Sequence, residues 1–125
     1  MDLIIGGAYQ GKLEYAKNKY ALSDGGIFTC AEDGNIDFSF PCLYKIQEYT
    51  LYCAKNGIDA VGIFKAHKNE WENGVLICDD IFCGVVPLGK ELRAWRETTG
   101  RLCAYLSHEA ASVTRIFCGL EQKLK

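Results

Sequence analysis

The spacing of apolar residues changes along this chain so as to mark out alternating strands and helices. Residues 2–6 carry a short apolar run that ends in glycines, which predicts a buried strand. Residues 11–20 follow as a helix opened by Gly11-Lys12, with Ala16 and Tyr20 at helical spacing from Lys12 and Leu13. Ser23-Asp24-Gly25-Gly26 is a turn signal, and residues 26–30 read as a second strand. After another turn at residues 32–35, Ile36, Phe38 and Phe40 alternate with Asp37 and Ser39, the pattern of a short strand or an extended lead-in. Pro41 fits the first turn of a helix, where its missing N–H is no loss. Leu43, Ile46, Thr50 and Cys53 continue that helix to the stop signal Asn56-Gly57.

The second half repeats the alternation. Asp59 is placed to cap a short helix carrying Ala60, Ile63, Phe64 and His67. Gly74 precedes Val75-Leu76-Ile77-Cys78, a continuous apolar run of the kind buried in parallel sheets, and the run ends in Asp79-Asp80. Leu88, Leu92, Trp95, Thr99, Leu102 and Leu106 then recur at steps of four and three, which puts them on one helix face. Glu97 and Arg101, one turn apart, can pair on the outside of that helix. Residues 113–118 read as a last strand, with Gly119 and residues 120–125 turning back as a hairpin.

Strands that alternate with helices predict a mainly parallel sheet sandwiched by helices, a three-layer αβα fold, in one domain over residues 1–125. Ligands of such folds sit at the carboxyl ends of the strands. That edge would hold both the loop after the first strand and the Asp79-Asp80 pair.

Composition narrows the function classes. An apolar share of 49% suits a globular core and not a disordered chain. A net charge of −2 with no basic tract argues against nucleic-acid binding. No apolar run approaches the ~20 residues of a membrane span, and Met1-Asp2 leads into the first strand without a basic segment. These features predict a cytoplasmic protein that engages neither nucleic acid nor membrane. The seven cysteines contain no C-x-x-C pair and mostly lie in apolar runs, as small buried hydrophobes do. His67 and His108 stand alone, without a partner at metal-ligand spacing. Arg93 and Arg96 share a helix face, as a phosphate-facing patch or as a solvated one.

The chemistry concentrates after the first strand. Gly6, Gly11 and Lys12 fit G-x-x-x-x-G-K-[ST], with Leu13 at the hydroxyl position. Glycines let backbone N–H groups crowd around phosphate oxygens, lysine brings charge to the outer phosphates, and the missing hydroxyl is the group that holds Mg²⁺. Residues Gly6, Gly7, Ala8, Tyr9, Gln10, Gly11, Lys12 and Leu13 therefore form a candidate nucleotide-binding loop. Its setting between an apolar strand and a helix is the expected one, and the helix N-terminus adds partial positive charge. At the second strand end, Asp79 and Asp80 offer a carboxylate that can hold Mg²⁺ through water or orient a nucleophile, or can serve only as a turn or cap. Adjacent strand residues point to opposite faces, so one of the two would face the site.

Two separated stretches resemble one family. Gly6-Gly7-Ala8-Tyr9-Gln10-Gly11-Lys12 is similar to the G-G-A-x-x-G-K loop of the adenosylcobinamide kinase/adenosylcobinamide-phosphate guanylyltransferase family, bifunctional enzymes of cobalamin nucleotide-loop assembly. The stretch from Asp79-Asp80-Ile81-Phe82-Cys83-Gly84-Val85-Val86-Pro87 resembles its N-E-V-G-x-G-I-V-P, and Trp95-Arg96-Glu97-Thr98-Thr99-Gly100-Arg101 resembles its F-R-D-x-x-G-R. The likeness covers about half the chain in the right order. Leu13, Cys103 and Ala104 depart from the family pattern, Asp79-Asp80 stands for Asn-Glu, and the middle of the chain is shorter. The family carries GMP on a histidine in a segment that here, between Gly26 and Ile58, holds none.

The resemblance implies a P-loop NTPase-like fold, ATP or GTP as nucleotide, a corrinoid substrate such as adenosylcobinamide, and homo-oligomeric, trimeric assembly. On that basis Lys12 and Asp80 are the expected catalytic residues, with Asp80 also the expected Mg²⁺ carboxylate. The expected function is ATP- or GTP-dependent phosphorylation of adenosylcobinamide. The alternatives are a module that holds a nucleotide or corrinoid without phosphoryl or guanylyl transfer, and a structural relic.

Overall fold

A computed structural model describes residues 1–82 and 89–125. The elements are β1 (Asp2–Gly6), α1 (Lys12–Tyr20), β2 (Ile27–Thr29), β3 (Cys42–Tyr44), α2 (Ile46–Asn56), α3 (Ala60–Ala66), α4 (Lys68–Trp71), β4 (Val75–Asp79), α5 (Lys90–Glu109), β5 (Ser112–Phe117) and β6 (Leu120–Lys123). They build an α/β fold on a six-stranded sheet of order β2-β3-β4-β1-β5-β6. The pairings β2–β3, β3–β4, β4–β1 and β1–β5 are parallel, and β6 returns antiparallel to β5.

Period-two alternation along buried strands creates two cores. Leu3, Leu43, Leu76, Cys78 and Val113 face a core shared with α2, α3, α4 and α5, through Ile46, Cys53, Phe64, Trp71, Leu102 and Leu106. Their neighbours Ile4, Cys42, Val75, Ile77 and Ile116 face the other way, toward Ala16, Leu13, Tyr15 and Tyr20 of α1. Helices therefore cover both faces, and the layers match the expected three-layer arrangement. Among the described residues no helix is long and apolar enough to cross a membrane.

Most expected elements stand where the periodicity puts them. Asp59 caps α3, its carboxylate accepting from Gly62 N–H at 3.1 Å. Gly57 ends α2 in the left-handed region. Glu97 and Arg101 pair at 2.5 Å. Trp95, Thr99, Leu102 and Leu106 point inward, whereas Leu92, on the same stripe, is exposed. Leu88 and Cys83 lie outside the described residues. Cys30, Cys42, Cys53, Cys78 and Cys103 are buried free thiols, and Cys118 is exposed.

Two segments differ from expectation. Pro41 does not open a helix: it precedes β3, and its carbonyl accepts from Val75 N–H at 2.9 Å. Cys42 and Leu43 are buried on opposite faces of the sheet, so this three-residue strand shows no alternation, and the Leu43-to-Ile46 step mimics a helical one. Residues 36–40 form no strand. Asp37 instead closes a turn by accepting from Ser39 N–H at 3.0 Å, and Phe38 plugs the core edge-on to Phe64.

Candidate functional site

The loop between β1 and α1 begins at a position only glycine can hold. A Cβ on Gly6 would stand 2.5 Å from the Ile116 carbonyl oxygen of neighbouring β5. It ends at Gly11, whose φ of +89° lets the chain turn into α1. Tyr15 N–H makes the helix bond to Gly11 O at 3.0 Å. The N–H groups of Lys12, Leu13 and Glu14 therefore precede the helical ladder, as first-turn donors do. Among the described residues, no protein group accepts a backbone hydrogen bond from Gly7, Ala8, Tyr9 or Gly11. Tyr9, at φ +60°, is fully exposed.

Lys12 is turned inward, with only 5% of its side chain exposed. Its Nζ donates to Gly7 O at 2.6 Å and pairs with Asp79 Oδ1 at 2.7 Å. The pairing follows from topology, since β1 and β4 are neighbours and Gly6 stands level with Asp79. Asp79 N–H in turn donates to Gln47 Oε1 at 3.0 Å, and Trp95 Nε1–H donates to Gln47 O at 2.8 Å. Gln47 thus ties β4, α2 and α5 together directly behind the ion pair.

Asp80 takes a different course. Its N–H donates to Gly6 O at 3.0 Å, and its carboxylate, in a residue only 9% exposed, lies 3.6 Å from Arg115 Nε on β5. Of the adjacent acids, Asp79 meets Lys12 and Asp80 meets Arg115. Leu13 packs against the apolar cluster beneath α1.

Lys12, Asp79 and Gln47 border a cavity of about 590 Å³. One wall is the loop from Ala8 through Glu14. The other is the β3–α2 junction, with Tyr44, Lys45, Gln47 and Glu48, and Asp79 also lines the space. Lys45 is a non-glycine residue at φ +58°, a conformation that L residues seldom adopt. The cavity lies at the carboxyl edge of the sheet, where the chain leaves β1 for one face and β3 for the other. Such divergence opens a crevice in doubly wound sheets.

The β5–β6 turn braces the loop from outside. Gln10 O accepts from Gly119 N–H at 2.9 Å, and Gln10 Oε1 accepts from Cys118 N–H at 2.5 Å. Beneath Asp79, the Cys78 thiol is held well above its ordinary pKa by its hydrogen bond with Cys103 and by burial, so it offers no thiolate. Among the described residues no group of three or more His, Cys, Asp or Glu side chains could hold a metal ion.

The structure brings the loop, Lys12 and the Asp pair to one edge, as their places after parallel strands require. Asp79 as the partner of Lys12, and Tyr44, Lys45, Gln47 and Glu48 as the opposite wall, carry no motif. Only the unexpected strand β3 places that wall beside the loop. The stretch from Cys83 to Pro87 that resembles the family motif lies outside the described residues. No protein-family model matches the chain, and no curated protein is significantly similar to it.

Proposed function

We propose that this protein binds the phosphates of ATP or GTP at the loop of residues 6–13, as a P-loop protein of the adenosylcobinamide kinase type. It transfers a phosphoryl group to an alcohol such as that of adenosylcobinamide. The observation that carries the reading is Lys12: a buried ammonium at the foot of the cavity, flanked by loop N–H groups with no protein acceptor. Burial of an ammonium is costly unless it is paired, and Asp79 and Gly7 O supply the pairing until phosphate oxygens replace them.

In this reading Gly6 and Gly11 shape the loop, and the amides of Gly7, Ala8, Tyr9 and Gln10 with Lys12 hold the phosphates. The acceptor oxygen forms a bond to phosphorus as the bond to the bridging oxygen breaks, the nucleoside diphosphate leaves and the alcohol proton passes to water, and the protein contributes position and positive charge. Mg²⁺ in such sites takes one or two carboxylates besides phosphate oxygens; Asp79, which lines the cavity, would supply one, and Leu13 offers no oxygen. When bound, the ion neutralises phosphate charge. Asp79 lines the cavity, and Asp80, beside Arg115, is the second carboxylate for the ion or for orienting the alcohol. Self-association follows from the same resemblance and is read by light scattering.

The packing of Leu13 against the α1 cluster favours a second reading, a module that holds nucleotide without transfer. Titration of ATP and GTP with and without Mg²⁺, followed by assay of phosphate transfer to adenosylcobinamide, separates the two. Turnover abolished by Lys12→Ala supports the kinase. Metal-independent binding without turnover supports the module. Absence of binding of either nucleotide overturns both.

A further inference from the structure

β6 is the outermost strand on its side of the sheet. Among the described residues only β5 pairs with it, and Leu120, Glu121, Gln122 and Lys123 are all exposed. Such an edge presents backbone N–H and C=O groups to another strand. Phe117, Leu120 and Leu124 are 61%, 72% and 53% exposed, so apolar surface collects at the same edge.

The hairpin fixes which groups face outward. Cys118 and Gly119, at φ +52° and +75°, form a two-residue turn with both central residues left-handed. The closing pair, Phe117 and Leu120, exchanges its backbone bonds inside the hairpin, and bonded and non-bonded pairs alternate from there. Leu120 and Gln122 therefore turn their N–H and C=O toward β5, and Glu121 and Lys123 turn theirs outward. Leu124 N–H, which returns to Val113 O at 2.8 Å, keeps this alternation. Side chains alternate as well. Glu121, opposite Ile116, and Lys123, opposite Thr114, lie on the α1 face, and Leu120 and Gln122 lie on the other.

The edge is complementary to itself. Leu120-Glu121-Gln122-Lys123-Leu124 is symmetric about Gln122 in apolar and polar character, and its two charges have opposite sign. An antiparallel second copy centred on Gln122 sets Glu121 against Lys123 in both directions and Leu120 against Leu124. The residues with outward backbone groups are then opposite one another, so the charge pairs coincide with the hydrogen-bonded pairs. A slip of one residue sets outward groups against inward ones. A slip of two centres the pairing on Glu121 or on Lys123 and opposes like charges. Tyr15 Oη donates to Glu121 Oε2 at 2.5 Å, which holds the carboxylate in place at this edge.

We propose that β6 pairs with β6 of a second copy of this chain about a twofold axis at Gln122, joining two sheets into one. The contact is independent of the nucleotide site. It is isologous and uses up the edge, so it closes at a dimer, whereas the family resemblance implies a trimer.

Sedimentation equilibrium of the full chain at about 100 μM tests it. The expected mass is twice the 13.9 kDa of one chain. Glu121→Lys or Lys123→Glu alone opposes like charges and is expected to weaken dimerisation at least about tenfold. An equimolar mixture of the two variants is expected to recover the dimer, because each reversed position then meets the opposite charge on the other chain. The chain carrying both substitutions is expected to dimerise for the same reason. Should Glu121→Lys fail to fold without its Tyr15 bond, Lys123→Glu and the wild-type mass still decide. A monomer at that concentration, a trimer, or a dimer that withstands both single substitutions overturns the proposal. So does a mixture of the two folded variants that stays monomeric. Nucleotide titration reads a different property, so the phosphate site and this interface can fail separately.

Discussion

Lys12 Nζ and Asp79 Oδ1 stand 2.7 Å apart, joining the first residue of α1 to the last residue of β4 across the sheet edge. The contact balances the site. A lysine turned into the protein needs a partner, and an aspartate close to an anion site weakens that site. At an effective dielectric near 20, unit charges 4 Å apart interact by about 4 kcal/mol, so the carboxylate matters to any anion that Lys12 meets.

Asp79→Asn is therefore expected to tighten Mg²⁺-free tripolyphosphate binding by about threefold to tenfold and to reduce the benefit of added Mg²⁺. Lys12→Ala is expected to weaken the same binding by at least about thirtyfold. Titrations of both variants at one ionic strength check the pair. Weaker binding in Asp79→Asn would remove the carboxylate from its opposing role.

Gly6 is a test of the loop's backbone. The Ile116 carbonyl stands 2.5 Å from where a Cβ would lie, and both groups belong to strands in the middle of the sheet. Gly6→Ala is expected to cost about 3 kcal/mol of stability, because neither strand can withdraw without breaking its ladder. Urea unfolding followed by circular dichroism measures it, and a loss under about 1 kcal/mol would show that the contact relaxes freely.

Leu13→Ser restores the hydroxyl of the phosphate-loop pattern at the expense of packing. Leu13 is half-buried against the cluster of Ile4, Ala16, Ile77 and Ile116, so a loss of about 1 to 2 kcal/mol is expected. The gain to look for is a Mg²⁺ dependence of nucleotide binding several-fold stronger in the variant than in the wild type. An unaltered Mg²⁺ response would mean that the hydroxyl position does not point at the phosphates.

The buried thiols set an alkaline limit. Burial pushes the Cys42 thiol up to about 11, and burial with the nearby Asp33 charge pushes Cys30 up to about 12. Both folded values exceed the unfolded value of 9.0, so this stability is fully present below pH 9.0 and is lost as pH rises through the folded values. Under reducing conditions the urea midpoint is expected to stay level up to about pH 9 and to fall between about pH 9 and 12. Cys42→Ala should flatten part of that fall, and an equal fall in the variant would assign it to other groups.

The long periodic segments were legible. The stripe Trp95, Thr99, Leu102 and Leu106 is the inner face of α5, and the run from Val75 is a central strand. Asn56-Gly57 and Asp59 mark real helix boundaries, because a left-handed C-cap and a side-chain N-cap are local chemistry. β3 was not legible. A three-residue strand buried on both faces has no period of its own, and only its ladders to β2 and β4 make it a strand. Residues 36–40 alternate as a strand does, but Asp37 spends its side chain on a turn and no neighbouring strand pairs with them.

Local order along the chain was enough to determine the alternating elements, the glycine turn that follows β1, and the place of Asp79-Asp80 after another strand. Those features depend on propensities and turn chemistry acting over a few residues. The tertiary structure decided which acid meets Lys12, which wall faces the loop, and that the β5–β6 turn grips Gln10. Each of those is a contact between segments far apart in the chain, set by strand order and the direction in which each strand's connection leaves the sheet, and none is written in local spacing.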